Sequence, residues 1–195
     1  MEKLMSNPIS NSSDKPELSR RAALRGIGAT GAIALGGAVV LSGTSTAHAT
    51  QNWWGWCKFC EGLWYSRGGS GRPCPGSSTG HTAEGSGNYT LKYSSDGGGG
   101  QNGWRWCSKC HGLWYSGNVA GKIVCPDGGG AHYARGSGDY LLDYSPNGGG
   151  QGGWYWCRFC SGLWSGLSLG RNVCPAGYSH SAKGSGEYMI RIGPQ

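Results

Sequence analysis

The side chains most able to do chemistry in this chain are its nine cysteines, and they fall into three matching groups. Cys57, Cys60 and Cys74 are followed by His81; Cys107, Cys110 and Cys125 by His132; Cys157, Cys160 and Cys174 by His180. The spacings are Cys-x2-Cys-x13-Cys-x6-His, Cys-x2-Cys-x14-Cys-x6-His and Cys-x2-Cys-x13-Cys-x5-His. Three thiolates and one imidazole make four donors, the number a tetrahedral divalent ion takes, and a Cys-x-x-Cys pair offers two of them from one turn. Disulfide pairing is the main competing chemistry, but an odd cysteine per group leaves one thiol over each time. A redox dithiol is the third reading of a Cys-x-x-Cys pair.

Donor set and spacing resemble a zinc ribbon or knuckle built on a β-hairpin, over roughly 25 residues of each group. The resemblance implies three structural zinc ions in closed sites. One departure is that glycine stands two positions after the second cysteine (Gly62, Gly112, Gly162), not immediately after it as in many knuckles.

The residues that must position these donors repeat with them. Cys57, Cys107 and Cys157 set a period of 50, and Trp54/Trp104/Trp154, Trp56/Trp106/Trp156, a Gly-Leu-Trp triplet and a Gly-Ser-Gly-x-Tyr stretch recur in step. Self-similarity at such a period marks a repeat architecture. Pattern predicts four strand-like pieces per copy: the Trp-x-Trp-Cys run, the Gly-Leu-Trp run, a short piece entering the third cysteine (71–74, 122–125, 171–174), and an alternating strand. That last strand puts Tyr89/Leu91/Tyr93, Tyr140/Leu142/Tyr144 and Tyr188/Ile190/Ile192 on one face, with Lys92, Asp143 and Arg191 on the other.

Composition agrees with an all-β chain. Forty glycines break helices, while ten tryptophans and ten tyrosines suit a pleated surface. A unit of about 45 residues has too small a core to stand without metal, disulfide or association. The expected fold is therefore three zinc-stapled β-hairpin repeats of about 50 residues, arranged in one of two ways. They form beads on the Gly-rich runs 94–103 and 145–153, or they pack with pseudo-threefold symmetry, resembling a β-trefoil. Packing together is favoured because it would bury Tyr140, Leu142 and their equivalents.

Residues 1–49 read as an export signal. Arg20-Arg21 after Ser19 resembles a twin-arginine motif, with Ala23 departing from it; a Gly-diluted apolar run and Ala47-His48-Ala49 follow. That run is too short and too diluted for a lasting membrane anchor. The expected organisation is a signal at 1–49 and zinc-binding repeats at 50–96, 97–147 and 148–195. The resemblance implies export of an already folded, metal-loaded protein to the periplasm, cell wall or medium.

Function is weighed among three classes. The net charge of +7 hints at nucleic acid, but five basic and three acidic residues precede Thr50, leaving +5. Three zinc–trithiolate sites lower this to about +2, and no basic run stands out. An enzyme lacks a recurrent base, since the shared histidines and cysteines serve as ligands; the Gly-Ser-Gly serines read as turn residues. Position 61/111/161 holds Glu, His and Ser and suggests no shared chemistry. The leading expectation is a non-catalytic, multivalent binder of carbohydrate or cell-wall polymer, with Trp54, Trp56, Trp104, Trp106, Trp154 and Trp156 as candidate sugar platforms. Zinc buffering or sensing, and nucleic-acid binding by a zinc ribbon, are the alternatives.

Overall fold

A computed structural model describes residues 50–69, 71–117, 123–167 and 171–194. The export-signal segment 1–49 lies outside the described residues. In copy one, β1 (Thr50–Trp56) leads through the cysteine turn to β2 (Leu63–Tyr65), and β3 (Tyr89–Tyr93) follows the histidine. Copy two repeats this with β4 (Gln101–Trp106), β5 (Leu113–Tyr115) and β6 (Tyr140–Tyr144). Copy three has β7 (Gln151–Trp156), β8 (Leu163–Ser165) and β9 (Glu187–Ile192). Within each copy the first strand pairs antiparallel with both others.

Two rings join the copies. At one end β3 pairs with β6, β6 with β9, and β9 back with β3. At the other, bridges link Trp64 to Gly112, Trp114 to Gly162, and Trp164 to Gly62. The copies are packed in a nearly closed, pseudo-threefold β-barrel, not strung as beads. The shared core explains why. Each copy gives it a tryptophan, a leucine, a tyrosine and a second aliphatic residue: Trp54, Leu63, Tyr89 and Leu91 in copy one, with counterparts ending in Leu142 and Ile190.

Contacts in this core run cyclically between copies. Trp54 meets Tyr140 edge-on at 5.4 Å between ring centroids, Trp104 meets Tyr188 at 5.1 Å, and Trp154 meets Tyr89 at 5.2 Å, each at 82°. Such edge-to-face pairs are worth roughly 0.5–1.5 kcal/mol beyond their burial. The same tyrosines donate their hydroxyls across copies: Tyr89 to Gln151 Oε1 at 2.6 Å, Tyr140 to Gln51 Oε1 at 2.5 Å, and Tyr188 to Gln101 Oε1. A Tyr hydroxyl buried without a partner would be costly, and these glutamines remove that cost.

Two expectations are corrected. Among the described residues each copy has three strands, because the piece entering the third cysteine is not one. Cys74 and Val173 make only isolated bridges, to Ser77 and Ser179; residues 123–125 have no strand pairing, and Lys122 lies outside the described residues. Cys125 N–H instead donates to Gly130 C=O at 2.7 Å in a local turn that aims its sulfur at the other donors. The Gly runs are also not loose connectors. A Cβ on Gly100 would stand 2.5 Å from Leu142 C=O, and one on Gly150 2.1 Å from Ile190 C=O, at φ of 146° and 128°. Only glycine lets the chain lie that close to the neighbouring strand.

Candidate metal centre

The turn that carries the first two cysteines is built the same way three times. Cys57 N–H donates to Gly62 C=O and Glu61 N–H to Cys57 C=O; Cys107/Gly112/His111 and Cys157/Gly162/Ser161 repeat this at 2.8–3.1 Å. The left-handed residue of the turn is Glu61, His111 or Ser161, at φ of 66°, 63° and 61°. It follows the second cysteine directly, so the glycine one place later is not the residue that bends the turn. The glycine sits where the next copy comes close: a Cβ on Gly62 would lie 3.8 Å from Leu163 C=O.

These turns bring all twelve expected ligands into three clusters: Cys57, Cys60, Cys74 and His81; Cys107, Cys110, Cys125 and His132; Cys157, Cys160, Cys174 and His180. Within each cluster the donor atoms lie within 4.8 Å of one another. The Sγ atoms of Cys57 and Cys74 are 3.9 Å apart, as are those of Cys107 and Cys125 and of Cys157 and Cys174. The second cysteine's Sγ stands 3.5, 3.5 and 3.6 Å from Nδ1 of His81, His132 and His180. An ideal tetrahedron with metal–sulfur and metal–nitrogen distances typical of zinc has S···S edges of about 3.8 Å and S···N edges of about 3.6 Å. The donors are therefore spaced for one four-coordinate ion per copy. No sulfur is in a disulfide, and every cysteine is buried except half-buried Cys74.

Electrostatics point the same way. In each cluster the first cysteine (57, 107, 157) is pushed far below the usual thiol range, chiefly by a hydrogen bond from the second cysteine's thiol and then from the third's. The second is pushed up by the thiolate it faces and by burial. The third is pushed up to about 11 in Cys74 and Cys125 and about 12 in Cys174, chiefly by its contact with the first. Three sulfurs this close cannot all ionise by themselves. A divalent cation among them would favour the thiolate form of every one.

Around the donors lies a repeated supporting shell. Trp64, Trp114 and Trp164 are buried and stack on His81, His132 and His180 at 5.2–5.4 Å and 14–17°. An ion on Nδ1 leaves the ring proton on Nε2. His180 Nε2 is 3.1 Å from Cys60 C=O of copy one, the kind of contact that fixes a ligand's orientation. Backbone N–H groups of Gly112 and Gly162 reach the sulfurs of Cys110 and Cys160 at 3.4 Å. Ligand positions of all three copies line one cavity of about 40 Å³, so the three centres converge on a common axis.

The residue at 61/111/161 has a shared role that its side chain conceals. Its carbonyl accepts from the neighbouring copy: Tyr65 N–H to His111, Tyr115 N–H to Ser161, Ser165 N–H to Glu61, at 2.8–2.9 Å. That role belongs to the backbone, and no side-chain pattern could announce it. The side chains have diverged: Glu61 Oε2 accepts from Trp56 Nε1 at 2.9 Å, while the His111 ring packs on Trp106.

The six candidate sugar-binding tryptophans divide into two sets. Trp54, Trp104 and Trp154 are at most 1% exposed and form the common core, so they offer no face to a ligand. The expectation that they are platforms is corrected: closure of the copies supplies the burial that a lone repeat could not. Trp56, Trp106 and Trp156 are half-buried at the rim of the same core. The Gly-Ser-Gly serines hold them, each hydroxyl accepting from that tryptophan's backbone N–H at 2.7–2.8 Å. Each also donates to the following glycine's carbonyl. No family model, characterised protein sequence or solved structure matches this chain.

Proposed function

We propose that this protein is a non-catalytic binding protein, exported through its N-terminal segment. In this reading three structural zinc ions hold it together, and it grips a carbohydrate polymer at the junctions between its copies. The observation that carries the ligand reading is the composition of those junctions. One is a groove of about 410 Å³ bounded by Trp56, Gly85 and Tyr89 of copy one and by Gln151 and Leu167 of copy three. Another, of about 200 Å³, is bounded by Trp156, Gly184 and Tyr188 of copy three and by Gln101 and Tyr115 of copy two. A half-exposed indole beside an amide and a glycine turn suits a sugar ring, whose C–H face stacks while its hydroxyls bond. Weak sites repeated about one axis gain avidity on a polymer that spans them.

Zinc is favoured by the donor set, three thiolates with one imidazole at tetrahedral spacing, which is that of closed structural sites. Buried donors woven into the inter-copy ring suit structural metal better than an exchangeable store.

Elemental analysis of freshly purified protein should give three zinc ions per chain. The zinc-loaded protein should be retained by at least one of cellulose, chitin, xylan or polygalacturonate, and a combined Trp56→Ala, Trp106→Ala, Trp156→Ala variant with native circular dichroism should be lost from it. Equal retention of that variant would refute the junctions as the binding sites.

A further inference from the structure

The three copies differ most sharply at one backbone position. Each first strand carries a register shift just before its core tryptophan. The residue there has positive φ: Gly103 at 85°, Gly153 at 78°, and in copy one Trp53 at 74°. Its N–H is held by a side-chain oxygen in every copy: Asn88 Oδ1 at 2.9 Å, Asp139 Oδ1 at 2.8 Å, Glu187 Oε1 at 2.8 Å. The bend is therefore a feature of the repeat, and glycine is its natural occupant. A bulky aromatic there is strained.

In copies two and three a side chain at this position would press on a neighbouring side chain. A Cβ on Gly103 would meet the Tyr115 ring at 3.3 Å, and one on Gly153 would meet Leu167 at 2.2 Å. Copy one has Arg67 at the position of Leu167, and its guanidinium lies 5.6 Å from the Trp53 ring centroid. Trp53 remains 49% exposed and is not part of the shared core. Its backbone is clamped on both sides, since Ser66 Oγ donates to its carbonyl at 2.8 Å while Asn88 holds its N–H. Asn88 is itself fixed by donating to Pro194 C=O at 2.7 Å. Trp53 thus walls a groove of about 400 Å³ with Asn52, Ser66, Ala83, Ser86 and Asn88.

A large residue that strains the backbone yet leaves half of itself exposed and stays outside the shared core points to a role other than stability. We infer that the Trp53 groove is a fourth carbohydrate subsite, present in copy one alone, where an indole carried on a clamped backbone stacks on a sugar ring. The clamp lowers the ordering cost of binding, because the backbone that carries the ring is already fixed. This subsite rests on the carbohydrate reading above. It would also break the threefold equivalence of the surface and give a bound polymer one preferred placement.

The test compares the full zinc-loaded chain with Trp53→Gly and Trp53→Tyr, in retention by cellulose, chitin, xylan and polygalacturonate and in thermal melting. Trp53→Gly should raise Tm by about 2–5 °C, through relief of the left-handed strain, and weaken retention on the bound polymer at least tenfold. Trp53→Tyr should keep affinity within about threefold, because a ring remains to stack. A lowered Tm in Trp53→Gly would overturn the inference by making the indole a packing element. Equal retention of wild type and Trp53→Gly would overturn this subsite alone, leaving the junction grooves standing. Failure of wild type to bind any of the four polymers would overturn both.

Discussion

Replacing Cys110 by serine tests whether the three centres are separate staples or parts of one structure. Cys110 is buried, and its Sγ faces His132 Nδ1 at 3.5 Å. The change removes one thiolate from centre two, leaving two thiolates and an imidazole. Structural zinc contributes about 10–16 kcal/mol of apparent binding free energy, whereas a whole domain is typically stable by only about 5–15 kcal/mol. Losing most of one centre is thus comparable to the entire margin. The damage also crosses copies. The turn 107–112 positions Trp104 and Leu113, which are a sixth of the shared core, and Trp104 packs on Tyr188 of copy three. His111 C=O holds Tyr65 N–H of copy one. Cys110→Ser should therefore purify with well under two zinc ions per chain, and its near-UV circular dichroism should collapse as a whole, with amide protection lost in all three copies. A variant holding two ions and about two thirds of the native signal would refute the reasoning, because it would show copies that fold independently.

Three further outcomes follow from the same geometry. Gly150→Ala should destabilise the protein by about 1–3 kcal/mol, since the new Cβ would run into Ile190 C=O at positive φ; an unchanged denaturation midpoint would mean that the Gly run is a free linker. Burial raises the pKa of Tyr89, Tyr140 and Tyr188. The stability this reflects is complete below the unfolded tyrosine value near 10 and is lost as pH rises above it, by about 1.4 kcal/mol per tyrosine per pH unit; three buried tyrosines titrating near pH 10 in still-folded protein would contradict it. Trp104→Ala should cost about 3–5 kcal/mol by emptying a core position, while Trp156→Ala at the rim should cost well under half as much in the same urea titration.

The ligands were legible in the sequence because nothing else can do their work. Sulfur and imidazole donors cannot be exchanged for residues of similar shape, so all twelve stand at readable spacings. The threefold barrel was half legible: repeats and alternating strands were plain, but closure depends on inter-copy pairs such as Tyr140 with Gln51, separated by 89 residues. No local pattern carries such a pairing. Trp54 and Trp56 illustrate the remaining limit. Their spacing put them on one face, and both do pack on the same cluster. Which of them lies at its centre and which at its rim is decided by neighbours from other copies. Trp53 was missed because an exposed tryptophan looks ordinary until its φ and the glycines at its counterparts are known.

The divergence among copies also bears on why three repeats sit in one chain. A symmetric trimer of one repeat would place the same residue three times around the axis. At position 92/143/191 three identical charges would face one another, each repelling two neighbours. The chain instead has Lys92, Asp143 and Arg191, and Lys92 Nζ meets Asp143 Oδ2 at 2.7 Å with both side chains largely buried. Among the described residues such a pair forms only between copies one and two, so it distinguishes that junction from the others. A partly buried pair of this kind adds little net stability, but leaving either member alone would be costly. It acts against wrong arrangements of three otherwise similar units, as polar contacts do in other symmetric assemblies. Glu61, His111 and Ser161 differ in the same way near the other end. At positions 92/143/191 and 61/111/161 the repeats have become unlike, while the four donors of each copy and the Trp–Tyr and Tyr–Gln contacts between copies have stayed the same. That contrast is what a fold needs when each unit is stapled locally and its neighbours must still be told apart.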